Sequence, residues 1–219
     1  MSKLKLYSYW RSSTSYKVRI AMNLKGLEYD VIPVHLVKDG GQQNSDEYKS
    51  INPMGAVPTL LVDDKHSIAQ SNAILEYLEE KYPAPALLPE GLLERAYVRQ
   101  VMNIVSCDIH PLNNLRVLQH IKSEFQLTDE TKKEWYHKWI HKGFKALNAL
   151  ISSSEFYKGH YCTEDQPSFA DATLIPQIYN ARRFDVDLKN YPVLTDIEAK
   201  CLNTQAFIDA APENQIDGE

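Results

Sequence analysis

The sequence contains few cysteines and no long apolar run. Its three cysteines, Cys107, Cys162 and Cys201, form no CxxC motif, so a disulfide framework, a zinc ribbon and a dithiol redox site are not expected. A reducing, cytoplasmic compartment fits this cysteine usage best. The N-terminal residues MSKLKLYSYW lack the uninterrupted apolar stretch of a signal peptide, and no window approaches the length of a membrane span.

Basic residues are outnumbered by acidic ones. The chain carries 24 lysines and arginines against 29 aspartates and glutamates, a net charge of -5, which argues against nucleic acid as the main partner. Local clusters of basic residues could still bind a small anionic substrate. Hydrophobic residues make up 43% of the 219 residues, enough to build the core of one large domain or two small ones.

Strand and helix signals alternate at the start of the chain. Residues 4–9 alternate aliphatic, lysine and aromatic side chains, as in a short strand. A helical pattern follows from about Ser15 and stops at Gly26, and residues 29–34 predict a second strand. This order predicts a βαβ unit with parallel strands.

The next segment completes an α/β domain over residues 1–82. It predicts a short helix at 46–51, strands at 59–62 and 67–68, and a helix at 70–82.

A proline-rich segment, residues 83–90, is predicted to be a linker. Strand signals stop beyond it, so residues 91–219 are expected to form an all-helical domain. The motif Ser168-Phe-Ala-Asp171 predicts a capping box at a helix start. The tail 212–219 is expected to be frayed. Helices are predicted over 94–119 with a bend near Pro111, over 128–152, from 168, over 192–202 and over 205–210.

Four consecutive hydroxyl residues, Ser12, Ser13, Thr14 and Ser15, lie where the first strand meets the first helix. The start of a helix leaves backbone N–H groups unpaired and favours an anion. A hydroxyl there can also donate a hydrogen bond to a thiolate and lower the pKa of the thiol. Capping explains one hydroxyl well and four poorly, so we interpret this turn as functional.

Three further positions in the first half could bind a ligand. Val57-Pro58 opens a strand, and local sequence favours an ordinary trans proline over a cis proline that exposes the backbone of Val57. Ser71 is predicted to cap its helix, and its N–H could hold a carboxylate. Gln43 lies beside a glycine pair, where a solvated side chain is the simpler interpretation.

The second half offers weaker signals. His110 and Asn114 are polar groups inside a predicted helix, and Arg183 ends another; each alone favours a surface role. His137 and His141 have the spacing of a metal pair, but no third ligand is evident, so a solvated face and no metal site are predicted. Lys17 and Arg19 can likewise be read as the solvated face of the first helix.

Together the motifs RSSTSYKVRIA, KDGGQQ, INPMGAVPTL and IAQSNAILEYLEE resemble the zeta class of glutathione transferases. The resemblance continues through HPLNNL, SFAD and ARRFDVDLKNYP and covers nearly the whole chain. It implies a thioredoxin-like α/β N-terminal domain, an all-α C-terminal domain, glutathione as cofactor and a homodimer.

The resemblance also implies roles for individual residues. Ser12 would support the glutathione thiolate, with Ser13 and Thr14 in the same turn. Arg183, and Arg11 as a candidate, would meet substrate carboxylates. The residues that would hold glutathione, besides those of the turn, are Gln43, Val57, Gln70 and Ser71, with His110 and Asn114 reaching glutathione or substrate.

The activity implied is glutathione-dependent cis–trans isomerisation of maleylacetoacetate to fumarylacetoacetate, a step of tyrosine and phenylalanine catabolism. Maleylpyruvate as the substrate, a general transferase acting on haloacids, and a glutathione-binding protein without turnover are the alternatives. One departure from the family is Thr14, where its members usually carry cysteine. A hydroxyl cannot act as a thiol nucleophile, so any thiol chemistry at this turn must come from glutathione.

Overall fold

The structure, a computed structural model, describes residues 3–163 and 166–218. The chain forms two compact units. One consists of Met1–Leu87 together with Leu202–Glu219, and the other of Leu88–Cys201. No helix in the described ranges has the length and apolarity that crossing a membrane requires.

The first unit contains a mixed four-stranded sheet. Its strands are β1 (Leu4–Ser8), β2 (Tyr29–Pro33), β3 (Thr59–Leu61) and β4 (Ser67–Ala69), in the spatial order β2-β1-β3-β4. Strand β1 pairs in parallel with β2 and antiparallel with β3, and β3 pairs antiparallel with β4. The predicted βαβ start and the thioredoxin-like arrangement are confirmed.

The helices of this unit are α1 (Ser13–Leu24), α2 (Asp46–Ile51) and α3 (Ser71–Lys81). Helices α1 and α3 contact each other. Their apolar side chains, together with those of β1 and β3, form a core that excludes solvent because the strand and helix patterns each put one apolar face inward. The fully buried members include Leu6, Val18, Ile20, Met22, Leu60, Ile74, Leu75 and Leu78.

A buried ion pair fixes the chain just after α3. The Lys25 Nζ lies 2.7 Å from the Glu79 carboxylate and also donates to the carbonyls of Tyr82 and Pro85 at 2.7 and 2.9 Å. The same carboxylate accepts from the Leu87 N–H at 3.0 Å. Residues 83–87, the first part of the predicted linker, are therefore held firmly in the first unit.

The C-terminal segment was predicted to belong to the helical domain, but it belongs to the first unit. Helix α10 (Gln205–Ala210) contacts α1, and the buried guanidinium of Arg19 donates to the Ala210 carbonyl at 3.0 Å. A one-turn 3-10 helix at Pro212–Asn214 follows, with Pro212 buried. The predicted fraying of the tail is wrong over residues 212–218, and Glu219 lies outside the described residues.

All regular secondary structure among the described residues of the second unit is helical. Helices α4 (Leu92–Asn103), α5 (His110–Asn113) and α6 (Leu115–Glu124) replace the single helix predicted over 94–119, because a π-helical turn over Ile104–Ile109 and the extended Asn114 interrupt it. The later helices are α7 (Asp129–Ser152), α8 (Phe169–Arg183) and α9 (Pro192–Cys201).

The π turn packs closely against α7. A Cβ added to Gly143 of α7 would lie 2.3 Å from the side chain of Ile109, so only glycine permits this approach. Helix α8 packs against α4 and α9. The core of the unit includes the fully buried side chains of Ile140, Phe144, Leu147, Phe169, Leu174 and Ile178.

The predicted capping box at α8 is confirmed. The Ser168 Oγ accepts from the Ala170 N–H at 3.2 Å, and the Asp171 carboxylate accepts from the Ser168 N–H at 2.8 Å. Its other oxygen accepts from the Cys162 N–H at 2.7 Å. Burial raises the pKa of Asp171, and these hydrogen bonds oppose that rise.

We expect Asp171→Asn to lower the free energy of unfolding by about 2–4 kcal/mol. The amide would put a donor where Ser168 already directs its N–H and hydroxyl, leaving a buried donor without an acceptor. Urea unfolding followed by circular dichroism measures the change. Asp129→Asn at the exposed start of α7 is the control, since it removes only surface ion pairs with Lys122 and Lys132. Equal shifts in the two variants would contradict the buried capping box as the source.

Candidate active site at the first strand–helix turn

The turn between β1 and α1 presents three hydroxyl groups. Ser12 is the N-cap of α1, with its Oγ accepting from the Ser15 N–H at 3.3 Å. Its own N–H donates to the Tyr9 carbonyl at 3.0 Å and closes the turn. Ser12, Ser13 and Thr14 are all half-buried, so the hydroxyls lie at the surface of the unit without full hydration.

A chain of hydrogen bonds runs from Ser12 through Thr14 to Val57. The Thr14 Oγ1 donates to the Val57 carbonyl at 3.1 Å. Because a carbonyl can only accept, this bond uses the one hydroxyl hydrogen of Thr14. The 2.9 Å contact between the oxygens of Ser12 and Thr14 must then use the hydrogen of Ser12. Thr14 therefore acts as the acceptor that orients the Ser12 hydroxyl.

The Val57-Pro58 peptide bond is cis, so the trans proline favoured from local sequence is wrong. The preceding carbonyl, that of Ala56, accepts from the Tyr48 hydroxyl and from the Asn52 amide, each at 2.7 Å. Both of these side chains are buried. The backbone of Val57 is thus held at a fixed place beside the hydroxyl turn.

The start of α3 carries a residue in an unusual conformation. Gln70 has φ +72° and ψ 113° and occupies the N-cap position without a side-chain cap. Ser71 is the first residue inside the helix, so the prediction that it caps α3 is wrong. Without a cap, backbone N–H groups of the first turn are available to an anion, and the strained backbone at Gln70 is typical of a functional position.

A buried lysine lies beside this helix start. The Lys17 side chain, only 3% exposed, donates from Nζ to the Asn72 Oδ1 at 2.7 Å. Its predicted position on a solvated helix face is wrong, and the same holds for Arg19, which is fully buried. Arg19 lies four residues after Ser15 and three before Met22, so helical periodicity does place it on the inward face.

Gln43 lies in a 3-10 turn over Gln42–Asn44. Its amide nitrogen donates to the Leu36 carbonyl at 3.3 Å, while its Oε1 is buried and has no hydrogen-bond partner among the described residues. Gly41, at φ +92°, is required beside it because a Cβ there would lie 2.5 Å from the Gln43 amide. A buried acceptor of this kind matches a ligand N–H better than the solvated side chain first expected.

Arg11 is held by aromatic rings. Its guanidinium lies 5.1 Å from the ring centroid of Trp10 and 5.9 Å from that of Tyr9, and it donates to the Tyr9 hydroxyl at 3.3 Å. These contacts keep a half-buried cation next to the hydroxyl turn.

The remaining predicted residues belong to the second unit. The Asn114 amide nitrogen donates to the His110 Nε2 at 3.1 Å, which places the proton of a neutral His110 ring on Nδ1. Asn114 also caps α6 by accepting from the Arg116 N–H at 3.2 Å. Arg183 is exposed at the end of α8 and contacts Asn180 at 3.4 Å.

The two histidines with metal-like spacing make other contacts. His137 Nε2 donates to the Phe184 carbonyl at 2.6 Å, and His141 Nδ1 lies 2.7 Å from the Tyr191 hydroxyl. Both are half-buried, so the predicted solvated face is wrong. Across residues 3–163 and 166–218, no three metal-ligating side chains are grouped to hold an ion.

Comparison with known proteins agrees with this geometry. Residues 2–80 match the family model of the glutathione S-transferase N-terminal domain. The chain is 48% identical over 218 residues to maleylacetoacetate isomerase of Dictyostelium discoideum, covering all of this chain and 97% of the relative.

Two solved structures are also similar over nearly their whole length. One is the holo structure of maleyl pyruvate isomerase, a bacterial zeta-class glutathione transferase, with a TM-score of 0.94 and 43% identity over 98% of this chain and 100% of that one. The other is maleylacetoacetate isomerase of Methylobacterium extorquens with bound malonate and glutathione, with a TM-score of 0.93 and 35% identity over 98% and 99% of the two chains. The chain therefore belongs to the glutathione transferase family, and within that family to the zeta class.

Proposed function

We propose that the protein is a glutathione-dependent cis–trans isomerase of maleyl diketo acids, with maleylacetoacetate as substrate and fumarylacetoacetate as product. The observation that carries this proposal is the hydrogen-bonded chain from Ser12 through Thr14 to Val57 at the start of α1. It offers an oriented hydroxyl and no protein thiol. The near-complete coverage of relatives named for this reaction supports it.

The groups of the first unit fit glutathione in their donor and acceptor chemistry. The Ser71 end of α3, a helix start without a side-chain cap, suits the carboxylate of the γ-glutamyl end, and Gln70 would fix that end. Val57 offers backbone groups to the peptide part, and the buried Gln43 Oε1 accepts a ligand N–H. Buried Lys17 adds positive charge beside the α3 start.

When bound, glutathione supplies a thiolate whose reversible addition to the cis double bond allows rotation about that bond. In this proposal Ser12 turns its hydroxyl hydrogen from Thr14 to the sulfur and stabilises the thiolate. Ser13, in the first turn of α1, contributes to the same anion-favouring environment. Thr14 keeps its own hydrogen on Val57 and so holds the turn while Ser12 reorients.

The substrate carries two carboxylates, which require cations. Arg183, exposed at the end of α8, is the proposed partner in the second unit, as the family resemblance implies. Arg11, ordered by its aromatic contacts, is the proposed partner in the first unit. His110 and Asn114 form a polar pair that would contact glutathione or the diketo unit.

Maleylpyruvate is the second candidate substrate. A maleyl pyruvate isomerase shares 43% identity with this chain over nearly its full length, and the two substrates differ only beyond the diketo unit. A role in tyrosine and phenylalanine catabolism, a cytoplasmic location and a homodimer follow from the proposal as expectations. So does the assignment of residues 1–82 to glutathione and of the helical residues 91–201 to the substrate.

The proposed function is tested by following the ultraviolet absorbance of maleylacetone and of maleylpyruvate with and without glutathione. We expect glutathione-dependent isomerisation by the wild-type protein. We expect Ser12→Ala to lower kcat/KM about 100-fold, because a donor to the developing charge is lost. Ser50→Ala, which removes an exposed hydroxyl bonded to the Glu47 carbonyl, is the control. Absence of glutathione-dependent turnover of either compound would refute the proposal.

Thr14 allows a sharper test of the hydrogen-bonded chain. In Thr14→Val the hydrogen of Ser12 has no competing acceptor, so the pKa of the bound glutathione thiol should fall by about 0.5–1 unit. Thr14→Cys should remain active, since the nucleophile belongs to glutathione. Titrating the thiolate absorbance of the enzyme–glutathione complex measures both. An unchanged pKa in Thr14→Val would contradict the donor assignment, whereas a higher pKa would show that loss of the Thr14–Val57 bond loosens the turn.

Arg183→Ala should raise KM for the dicarboxylate substrate about five- to tenfold while leaving glutathione affinity unchanged. The reason is that an exposed cation which binds one substrate carboxylate contributes to binding rather than to thiol ionisation. Steady-state kinetics at saturating glutathione provide the measurement. Lys145→Ala removes an exposed cation of the same unit and serves as control. An equal change of KM in the two variants would contradict a role of Arg183 in substrate binding.

A further inference from the structure

The backbone of Trp10, two residues before Ser12, is tied to the C-terminal segment directly at its N–H and through Arg19 at its carbonyl. Its N–H donates to the Asp217 Oδ2 at 3.0 Å. Its carbonyl accepts from the Arg19 Nη2 at 2.9 Å, and the same guanidinium donates from Nε to the Ala210 carbonyl at 3.0 Å. A turn residue whose N–H and C=O are both committed cannot rotate its peptide planes freely.

Arg19 connects this turn to the end of the first strand as well. Its Nη1 donates to the Ser8 Oγ at 3.1 Å, and its guanidinium lies 5.5 Å from the Tyr16 ring centroid. The side chain is fully buried, where an uncompensated cation is costly. Asp217 and Glu213 of the C-terminal segment favour its charged form, which opposes the lowering of its pKa to about 10 by burial.

The C-terminal segment is itself held in place by hydrogen bonds and buried side chains, so it can restrain the backbone of Trp10. The Asn23 amide of α1 donates to the Ala206 carbonyl at 3.1 Å, and Phe207 is fully buried. The Gln215 amide donates to the Asp209 and Ala211 carbonyls at 2.9 Å each. These bonds hold the tail in a defined path up to Asp217.

We propose that Asp217 and Arg19 are positioning residues for the isomerase, and that residues 205–218 brace the hydroxyl turn so that Ser12 points at the glutathione sulfur. The proposal rests on the function proposed above, because it requires the turn to bind the thiolate. The brace acts through Trp10 and not by contact with the reacting atoms.

Asp217→Ala and Asp217→Asn test the brace. The alanine variant loses the acceptor for the Trp10 N–H and the charge near Arg19, and should lower kcat/KM about tenfold. The asparagine variant keeps an acceptor and should fall between wild type and alanine. Asp209→Ala is the matched control, because this exposed carboxylate of the same segment bonds only to the Gln205 side chain among the described residues.

The decisive measurement is the pKa of the bound glutathione thiol, from thiolate absorbance in the enzyme–glutathione complex. A loosened turn should raise this pKa in Asp217→Ala and move the acid limb of the pH–rate profile upward. A merely structural role would lower the melting temperature and leave the pKa of the folded fraction unchanged, which would overturn the proposal. So would equal behaviour of Asp217→Ala and Asp209→Ala.

These outcomes separate the brace from the proposed function. The thiol titration needs only glutathione, so a protein that ionises glutathione but isomerises neither maleyl compound would refute the isomerase and still test the brace. Conversely, full isomerase activity with an unchanged thiol pKa in Asp217→Ala would refute the brace and leave the isomerase standing.

Discussion

Buried positive charge is the constraint on which the first unit depends. Lys17, Arg19 and Lys25, at the inward side and end of α1, are each no more than 5% exposed. A buried cation is tolerated only with partners, and each of these finds its partners on a different part of the chain. Lys17 reaches the start of α3, Arg19 reaches the turn and the C-terminal segment, and Lys25 reaches the segment after α3. Helix α1 thus joins the hydroxyl turn to three elements that are distant in sequence.

The hydroxyl turn lies at the start of this anchored helix. The hydrogen of Thr14 is committed to Val57, so the Thr14 oxygen can only accept a hydrogen bond from the Ser12 hydroxyl. A cysteine at position 14 would be a weaker acceptor for Ser12. Threonine therefore gives the Ser12 hydroxyl a stronger local acceptor than cysteine would, which fits the proposal that glutathione supplies the sulfur.

Sequence patterns predicted much of the fold because they are local. The strands of the sheet, the helix starts at Asp46 and Gln205 and the Ser168 capping box all follow from periodicity and capping chemistry. The predictions that are wrong concern features that depend on contacts between residues far apart in sequence. Helix periodicity could not show that the tail returns to α1, and the cis bond before Pro58 has no local signal. Arg19 was predicted to be solvated because its side chain is charged. Its position in the helical repeat, which lies on the inward face of α1, indicated burial instead.

The sequence by itself determined the family, the α/β start followed by helices, and the residue types at the hydroxyl turn, since these depend on neighbouring residues and motif order. Only the tertiary structure decided which hydroxyl donates to which acceptor, that Gln43 carries a buried carbonyl oxygen, and that Asp217 holds Trp10. The physical reason is the same in each case. Hydrogen-bond direction and burial are set by partners far away in sequence, and no local pattern specifies them.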